Sequence, residues 1–236
     1  MAPLPRWGPR DARAPRIMII AIDGPSGAGK STLGRMLASA LDLLYIDTGS
    51  MYRAVALAVL ESSVNATDDI AVGSLASRVD IDLAGDPDSL RVTLDGQDVT
   101  EQIRSEEVTH MSSVVSTFPA VRRAMVERQR ELGRRGAVLN GRDIGTVVFP
   151  DADLKFFLTA SLEERAQRRF AEEQTKDSGV TFEETLADIK ERDTRDSTRA
   201  DSPLKAADDA VIIDSTDLST KESFERMMAV CQNRLR

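Results

Sequence analysis

Cysteine and histidine are nearly absent from this chain of 236 residues, which has one of each, Cys231 and His110. A single cysteine excludes an internal disulfide, and the two residues together are too few for a typical zinc site. His110 has no catalytic pattern beside it, and Cys231 shares a predicted helical face with apolar residues, so we expect both to be structural. No apolar run approaches the roughly twenty residues of a transmembrane helix. We therefore expect a cytoplasmic protein that does not associate with a membrane.

Positive charge is also scarce, because 31 lysines and arginines are outnumbered by 39 acidic residues, which leaves a net charge of −8. A nucleic-acid partner favours a basic face, so we expect none. Small anionic substrates remain compatible, since a few clustered arginines can bind them. The length and a hydrophobic content of 41% favour one domain with insertions, which we expect to be a monomer. Residues 1–16 lack the apolar core of a secretory signal and are predicted to form a disordered N-terminal extension, with a transit peptide as the alternative.

The clearest motif is Gly24-Pro25-Ser26-Gly27-Ala28-Gly29-Lys30-Ser31, which fills the phosphate-binding pattern G-x-x-x-x-G-K-[ST]. It follows an apolar run at 17–22, typical of a buried strand, and precedes a predicted helix over 32–41. The glycines let backbone N–H groups surround phosphates, Lys30 reaches the β and γ groups, and Ser31 offers a hydroxyl to Mg²⁺. We predict a nucleoside triphosphate site that extends to Thr32, with Lys30 in a solvent-open position.

Apolar runs alternate with helical patterns along the rest of the chain. After 17–22, the predicted strands are 43–46, 137–139, 154–158 and 210–213. Capping boxes open three of the helices and pair Ser161 with Glu164, Thr181 with Glu184 and Ser219 with Glu222. This alternation predicts an α/β fold of three layers, in which helices cover both faces of a five-stranded parallel sheet.

One region, about 66–104, breaks the alternation. Short segments of period two lie at 79–83, 90–94 and 97–99, and Asp95-Gly96 between the last two is typical of a hairpin turn. We predict a small antiparallel insert here.

Arginines follow the predicted strands, whereas GTPases and motor ATPases with a phosphate loop carry other motifs. The chain has no Asn-Lys-x-Asp of guanine-reading GTPases, and the strand at 137–139 runs into Asn140-Gly141-Arg142 rather than the acid of a motor ATPase. Ligands of parallel sheets lie beyond the carboxyl ends of the strands, so segments 47–53, 142–146 and 214–217 should converge on the phosphate loop. The first two segments each bring an arginine and an aspartate, which suggests a second phosphate-bearing substrate.

Four segments, 22–30, 47–53, 141–150 and 192–199, occur in a fixed order. Their sequences are Ile-Asp-Gly-Pro-Ser-Gly-Ala-Gly-Lys, Asp-Thr-Gly-Ser-Met-Tyr-Arg, Gly-Arg-Asp-Ile-Gly-Thr-Val-Val-Phe-Pro and Arg-Asp-Thr-Arg-Asp-Ser-Thr-Arg. Together they resemble bacterial cytidylate kinases, which are phosphate-loop nucleoside monophosphate kinases. The resemblance covers about 17–235 and assigns the kinase domain to 17–236, the monophosphate-binding region to about 48–122 and a helical lid to about 161–200.

The resemblance implies that ATP phosphorylates CMP, and also dCMP, with Mg²⁺ required. It implies that three arginines hold the CMP phosphate and act with Lys30 in catalysis: Arg53, Arg142 and Arg192. It further implies ribose binding by Asp196, flanked by Asp47 and Thr48, and cytosine recognition by Ser113, Arg122, Asp143 and Arg199. Three lid residues would close over the ATP phosphates: Arg165, Arg168 and Arg169.

Each of these groups has a structural alternative. The lid arginines could form a solvated helix face with Glu164, Glu172 and Glu173. Arg192, Arg195 and Arg199 could be a charged surface stripe, and Asp143 could be a helix N-cap. Asn140 stands where related proteins often carry an acid, which would weaken Mg²⁺ binding if that acid helps to hold the metal.

The residues themselves are also compatible with two other functions. One is a kinase of the same fold for another small acceptor, such as UMP or shikimate. The other is a nucleotide-driven switch or binding module without an acceptor.

Overall fold

Five parallel strands form the central sheet. The computed structural model describes residues 18–175 and 179–235, so the predicted N-terminal extension lies outside the described residues. The strands are β1 (Ile19–Asp23), β2 (Leu44–Asp47), β6 (Ala137–Gly141), β7 (Leu154–Thr159) and β8 (Val211–Asp214), in the spatial order β2-β6-β1-β7-β8. All neighbouring pairs are parallel. The predicted five-stranded parallel sheet is confirmed.

Helices cover both faces of this sheet. They are α1 (Lys30–Leu41), α2 (Thr48–Glu61), α3 (Asp69–Arg78), α4 (Glu106–Val115), α5 (Pro119–Gly133), α6 (Leu162–Gln174), α7 (Phe182–Thr198) and α8 (Thr220–Leu235). Successive residues of β1 point to opposite faces, so Ala21 joins one apolar cluster with α2 to α5, while Ile20 and Ile22 join another with α1 and α8. Cys231 is buried in this second cluster, whereas His110 is exposed on α4. Over the described residues, no helix combines the length and apolarity needed to cross a membrane.

A second, antiparallel sheet lies between α3 and α4 in the sequence. It consists of β3 (Ile81–Ala84), β4 (Arg91–Leu94) and β5 (Gln97–Asp98). Asp95 and Gly96 adopt φ angles of 50° and 80°, which a two-residue hairpin turn of the primed type requires at both positions. The predicted insert is confirmed, although its first strand begins later than expected because Val79 caps α3 by donating its N–H to the Leu75 carbonyl.

Local hydrogen bonds also define the start of β2 and the starts of three helices. β2 begins at Leu44 because the Leu43 N–H closes α1 by donating to Ala38. The Thr181 and Ser219 capping boxes form with both reciprocal bonds. Ser161 accepts the Glu164 N–H at 3.1 Å but gives its own N–H to Thr216 Oγ1 at 2.9 Å. The start of α6 is therefore tied to the segment after β8.

Candidate active site

The phosphate-binding loop turns from β1 into α1 with its glycines in conformations that other residues avoid. Gly24 has φ +147°, and a Cβ at that position would lie 2.0 Å from the Leu158 carbonyl oxygen of β7. Gly29 stands at the N-cap of α1 with φ 91°. The loop is thus packed against the sheet, and the positive end of the α1 dipole points to its open side.

Lys30 is buried, with 7% of its surface exposed, so the expected solvent-open position is wrong. Its side chain folds into the loop, where Nζ donates to the Pro25 carbonyl at 2.6 Å. Burial, followed by repulsion from Arg142 and Arg192, lowers the pKa of Lys30 well below its usual value. An anion bound here would stabilise the charged lysine.

Arg142 and Asp196 join the loop after β6 to α7. Arg142 Nε donates to Asp196 Oδ2 at 2.8 Å, and Arg199 Nη1 lies 3.4 Å from the other carboxylate oxygen. Burial favours the neutral acid at Asp196, but Arg142, Arg192 and Arg199 outweigh it and hold its pKa below the usual range. Asp196 and Arg199 are both largely buried, which excludes a solvated stripe as the explanation of these two residues.

Arg192 of α7 is close enough to Arg142 and Asp196 for both to affect its pKa. Within the part of the chain that the structure describes, it forms no ion pair or hydrogen bond. Burial and then repulsion from Arg142 lower its pKa to about 10. Arg192 is therefore a cation available to an anionic ligand.

A polar network at the start of α2 orients Arg53. Asp47 caps the helix by accepting the Gly49 N–H at 3.1 Å and the Ser50 hydroxyl at 2.8 Å. Arg53 Nη2 donates to Ser50 Oγ at 2.8 Å and lies 3.4 Å from Asp47 Oδ2. Thr48 donates its hydroxyl to the Asn140 carbonyl at 2.8 Å, which ties this helix to the end of β6.

Asp143 and Arg122 form a buried ion pair. Arg122 Nη2 and Asp143 Oδ2 are 2.5 Å apart, and the two residues are 2% and 5% exposed. The guanidinium also lies 5.8 Å from the centre of the Tyr52 ring, and its Nη1 donates to the Ser116 carbonyl. Ser116 in turn donates its hydroxyl to the carbonyl of Ser113, which is half-buried on α4. Asp143 stands at the N-cap position of the turn Ile144–Val148, as the alternative expects, but its carboxylate makes no capping hydrogen bond there.

The three arginines of α6 differ in their surroundings. Arg165 is 6% exposed and reaches the phosphate loop, where Nη1 donates to Ser26 O at 3.1 Å and to Asp193 of α7 at 2.6 Å. Arg168 binds Glu164 and both the hydroxyl and the carbonyl of Ser215, beyond β8. Arg169 forms ion pairs with Glu172 and Glu173, as the solvated-face alternative expects.

Oxygen atoms suited to Mg²⁺ gather beside the start of α1. Asn140 Nδ2 donates to Ser31 Oγ at 3.1 Å and lies 3.5 Å from Asp47 Oδ1, while Asn140 Oδ1 is buried without a protein partner among the described residues. Mg²⁺ prefers oxygen ligands, and it usually combines one or two protein groups with phosphates and water. The hydroxyl of Ser31 and the carboxylate of Asp47 therefore fit the metal without a full protein cage, whereas Asn140 turns its NH₂ group toward both of them.

Comparison with known proteins shows the family of this chain. A family model described as Cytidylate kinase matches residues 20–233. The chain belongs to the cytidylate kinase family. A cytidylate kinase from Geobacter sp. (strain M21) is 48% identical over 219 residues, which cover 92% of this chain and 94% of that protein. A cytidylate kinase from Caldanaerobacter subterraneus subsp. tengcongensis is 50% identical over 209 residues, which cover 88% of this chain and 92% of the relative.

One solved structure adds a likeness in fold. An uncharacterized protein from Eubacterium ventriosum ATCC 27560 aligns with a TM-score of 0.50 at 12% identity, over 90% of this chain and 97% of that chain. This likeness shows the fold alone. The family resemblance inferred from the sequence is confirmed by the family model and the two cytidylate kinases.

Sequence reasoning assigned no role to Asp23, which lies just before the phosphate loop of this cytidylate kinase family member. Its carboxylate is 3% exposed and accepts the N–H groups of Ile144 at 2.8 Å and Gly145 at 2.7 Å. Burial raises the pKa of Asp23 to about 6, against the lowering effect of these two bonds. No local signal could have revealed contacts with residues so distant in the chain.

We predict that Asp23 makes the stability of the protein depend on pH. Because its folded-state pKa is raised from 3.8 to about 6, its contribution to stability is fully present below pH 3.8 and is lost as pH rises through about 6. The free energy of unfolding of the wild type, minus that of Asp23→Asn, should therefore fall by about 2 kcal/mol between pH 4 and pH 7. Urea unfolding at several pH values measures this difference. A difference that stays constant or grows with pH would contradict the prediction.

Proposed function

We propose that this protein transfers the γ-phosphoryl group of ATP to CMP, giving ADP and CDP, and that dCMP is a second acceptor. Membership of the cytidylate kinase family supports this reaction. The observation that carries it to the site is the position of Arg142 and Arg192, close enough to Lys30 to lower its pKa. Two cations beside the lysine of the phosphate loop suit a second phosphate next to that of ATP.

The proposed donor site is the phosphate loop, residues 24–32. Its backbone N–H groups and the α1 N-terminus would bind the ATP phosphates, with Lys30 at the β and γ groups. Arg165 supports a lid role, because it already contacts the loop through Ser26 and joins it to α7 through Asp193. Arg168 would act beside it, whereas Arg169 would first have to leave its ion pairs with Glu172 and Glu173.

The proposed acceptor site lies between α2, α5 and α7. Arg53, Arg142 and Arg192 would hold the CMP phosphate, and Asp196 would accept hydrogen bonds from the ribose hydroxyls, with Asp47 and Thr48 beside it. Cytosine would lie against four residues: Ser113, Arg122, Asp143 and Arg199. The buried pair between Asp143 and Arg122 supports this assignment, since its fixed orientation presents a carboxylate and a guanidinium to one ring.

The proposed chemistry is an in-line displacement. An oxygen of the CMP phosphate forms a bond to the γ-phosphorus, and the bond from that phosphorus to the β-phosphate oxygen breaks, so that ADP leaves. Mg²⁺ held by Ser31, with Asp47 and Asn140 close by, would neutralise charge on the β and γ oxygens. The protein's own part is to align the two phosphates, surround them with cations and exclude water, which is the competing acceptor.

An assay of ADP release with each of the four ribonucleoside monophosphates tests this function. We expect CMP to give a kcat/KM at least about tenfold above that of UMP, because cytosine and uracil reverse their hydrogen bonding at two adjacent ring positions. ADP release without any acceptor should be negligible. A preference for another acceptor would assign a different kinase activity, and acceptor-independent hydrolysis would favour a nucleotide-driven switch.

The variant Asp143→Asn should relax the preference for CMP over UMP. A carboxylate can only accept hydrogen bonds, which suits the amino group of cytosine, whereas an amide can also donate to the uracil carbonyl. We expect the ratio of kcat/KM for CMP to that for UMP to fall about tenfold or more. Asp196→Asn is the matched control, because it changes a buried carboxylate at the proposed sugar site. It should lower kcat/KM for CMP and for UMP by the same factor. An unchanged ratio in Asp143→Asn would place base recognition elsewhere.

A further inference from the structure

Asp23 connects the two halves of the proposed site. It is the last residue of β1, and Gly24 of the phosphate loop follows it directly. Its side chain crosses to the loop after β6, where one carboxylate oxygen accepts the N–H of Ile144 and the other that of Gly145. The carboxylate of Asp23, which directly precedes the phosphate loop, therefore holds the backbone of the loop after β6.

The segment held by Asp23 carries Arg142 and Asp143. Ile144 and Gly145 open a short π-helical turn, Ile144–Val148, and the N–H groups of Val147 and Val148 donate back to the Asp143 carbonyl at 2.8 Å and 3.2 Å. The turn thus extends from Asp143 itself. Asp23 fixes the first two N–H groups of this turn. Asp143 and Arg142, which precede the turn, are therefore fixed relative to the phosphate loop.

The contact needs a carboxylate and a close approach of the backbone. A Cβ on Gly145 would lie 3.1 Å from Lys155 Cδ and 3.4 Å from Asp23 Oδ2, so the turn is pressed against both side chains. A carboxylate accepts both N–H groups at once, whereas an asparagine would point its NH₂ group at one of them. An isosteric amide therefore cannot reproduce the contact.

Keeping an ionised Asp23 here opposes stability at neutral pH. Its pKa is raised to about 6, mainly by burial and to a smaller degree by Asp143 of the facing loop, while the two backbone hydrogen bonds and Lys30 of α1 act in the opposite direction. A residue retained only for stability would not need this buried charge, whereas alignment of a functional segment would justify it.

We propose that Asp23 is a positioning residue for phosphoryl transfer: by binding the Ile144 and Gly145 amides it keeps Arg142 and Asp143 aligned with the phosphate-binding loop. This inference rests on the proposed function, because the alignment matters only if the two loops hold two substrates.

The test compares Asp23→Asn with Asp153→Asn. Asp153 is a matched control, because its carboxylate accepts the Ile19 N–H at 2.8 Å at the opposite end of β1, away from the phosphate loop. We expect Asp23→Asn to lower kcat/KM for CMP about 100-fold, since a shift of about 1 Å in a catalytic group has that effect, while KM for ATP changes less than about threefold. In Asp153→Asn both parameters should stay within about twofold of the wild type.

Amide hydrogen exchange gives a readout that does not depend on activity. In Asp23→Asn the amides of Ile144 and Gly145 should exchange faster than in the wild type, and in Asp153→Asn they should not. Unchanged exchange would show that the carboxylate does not hold the turn. Faster exchange with an unchanged kcat/KM for CMP would show that the contact of Asp23 with the turn is only structural. Either result overturns the inference.

Folding is checked first by thermal melting, and Asp23→Ser is a second variant in case the asparagine is not tolerated. If neither variant folds, Asp23 is required for folding and the inference is wrong. A wild-type protein that releases no ADP with CMP would contradict the proposed function instead, and the hydrogen-exchange comparison would still report whether Asp23 holds the turn.

Discussion

Repulsion between a buried lysine and two partly buried arginines is the constraint on which the rest of the site depends. Lys30, Arg142 and Arg192 come from three different elements, and each of the two arginines lowers the pKa of the lysine. Asp196 offsets part of this charge through Arg142, and Asp23 is close enough to Lys30 for each to stabilise the charge of the other. The remaining positive charge is best compensated by phosphate groups. The space beside these three cations is therefore suited to anions, although the chain as a whole is acidic.

Most of the fold could be predicted from local patterns. Apolar runs located the five strands of the parallel sheet, and Asp95-Gly96 located the hairpin of the insert, because a turn with two positive φ angles favours these residues. Boundaries were less predictable, since they depend on single hydrogen bonds. Val79 was predicted to begin a strand, but it caps α3. Ser161 donates its N–H to Thr216 rather than to Glu164, the partner that the capping box predicts.

The candidate site was only partly predictable. The rule that ligands lie beyond the carboxyl ends of parallel strands correctly brings Arg142 and the Asp47–Arg53 network to the same edge of the sheet. The burial of Lys30 was missed, because the motif defines its position in sequence but not the path of its side chain. Asp23 and the contact of Tyr52 with Arg122 were missed because the partners lie far apart along the chain. Such contacts exist only after the sheet has formed.

The proposal that the site holds a second phosphate can be tested directly by calorimetric binding of CMP and of cytidine to the wild-type protein. The two ligands share base and sugar, so the difference in affinity reports the contribution of the phosphate. Because the proposed site places Arg53, Arg142 and Arg192 around that phosphate, we expect CMP to bind at least about 100-fold more tightly than cytidine, and the advantage to shrink as salt is added. Equal affinities for CMP and cytidine would contradict the account.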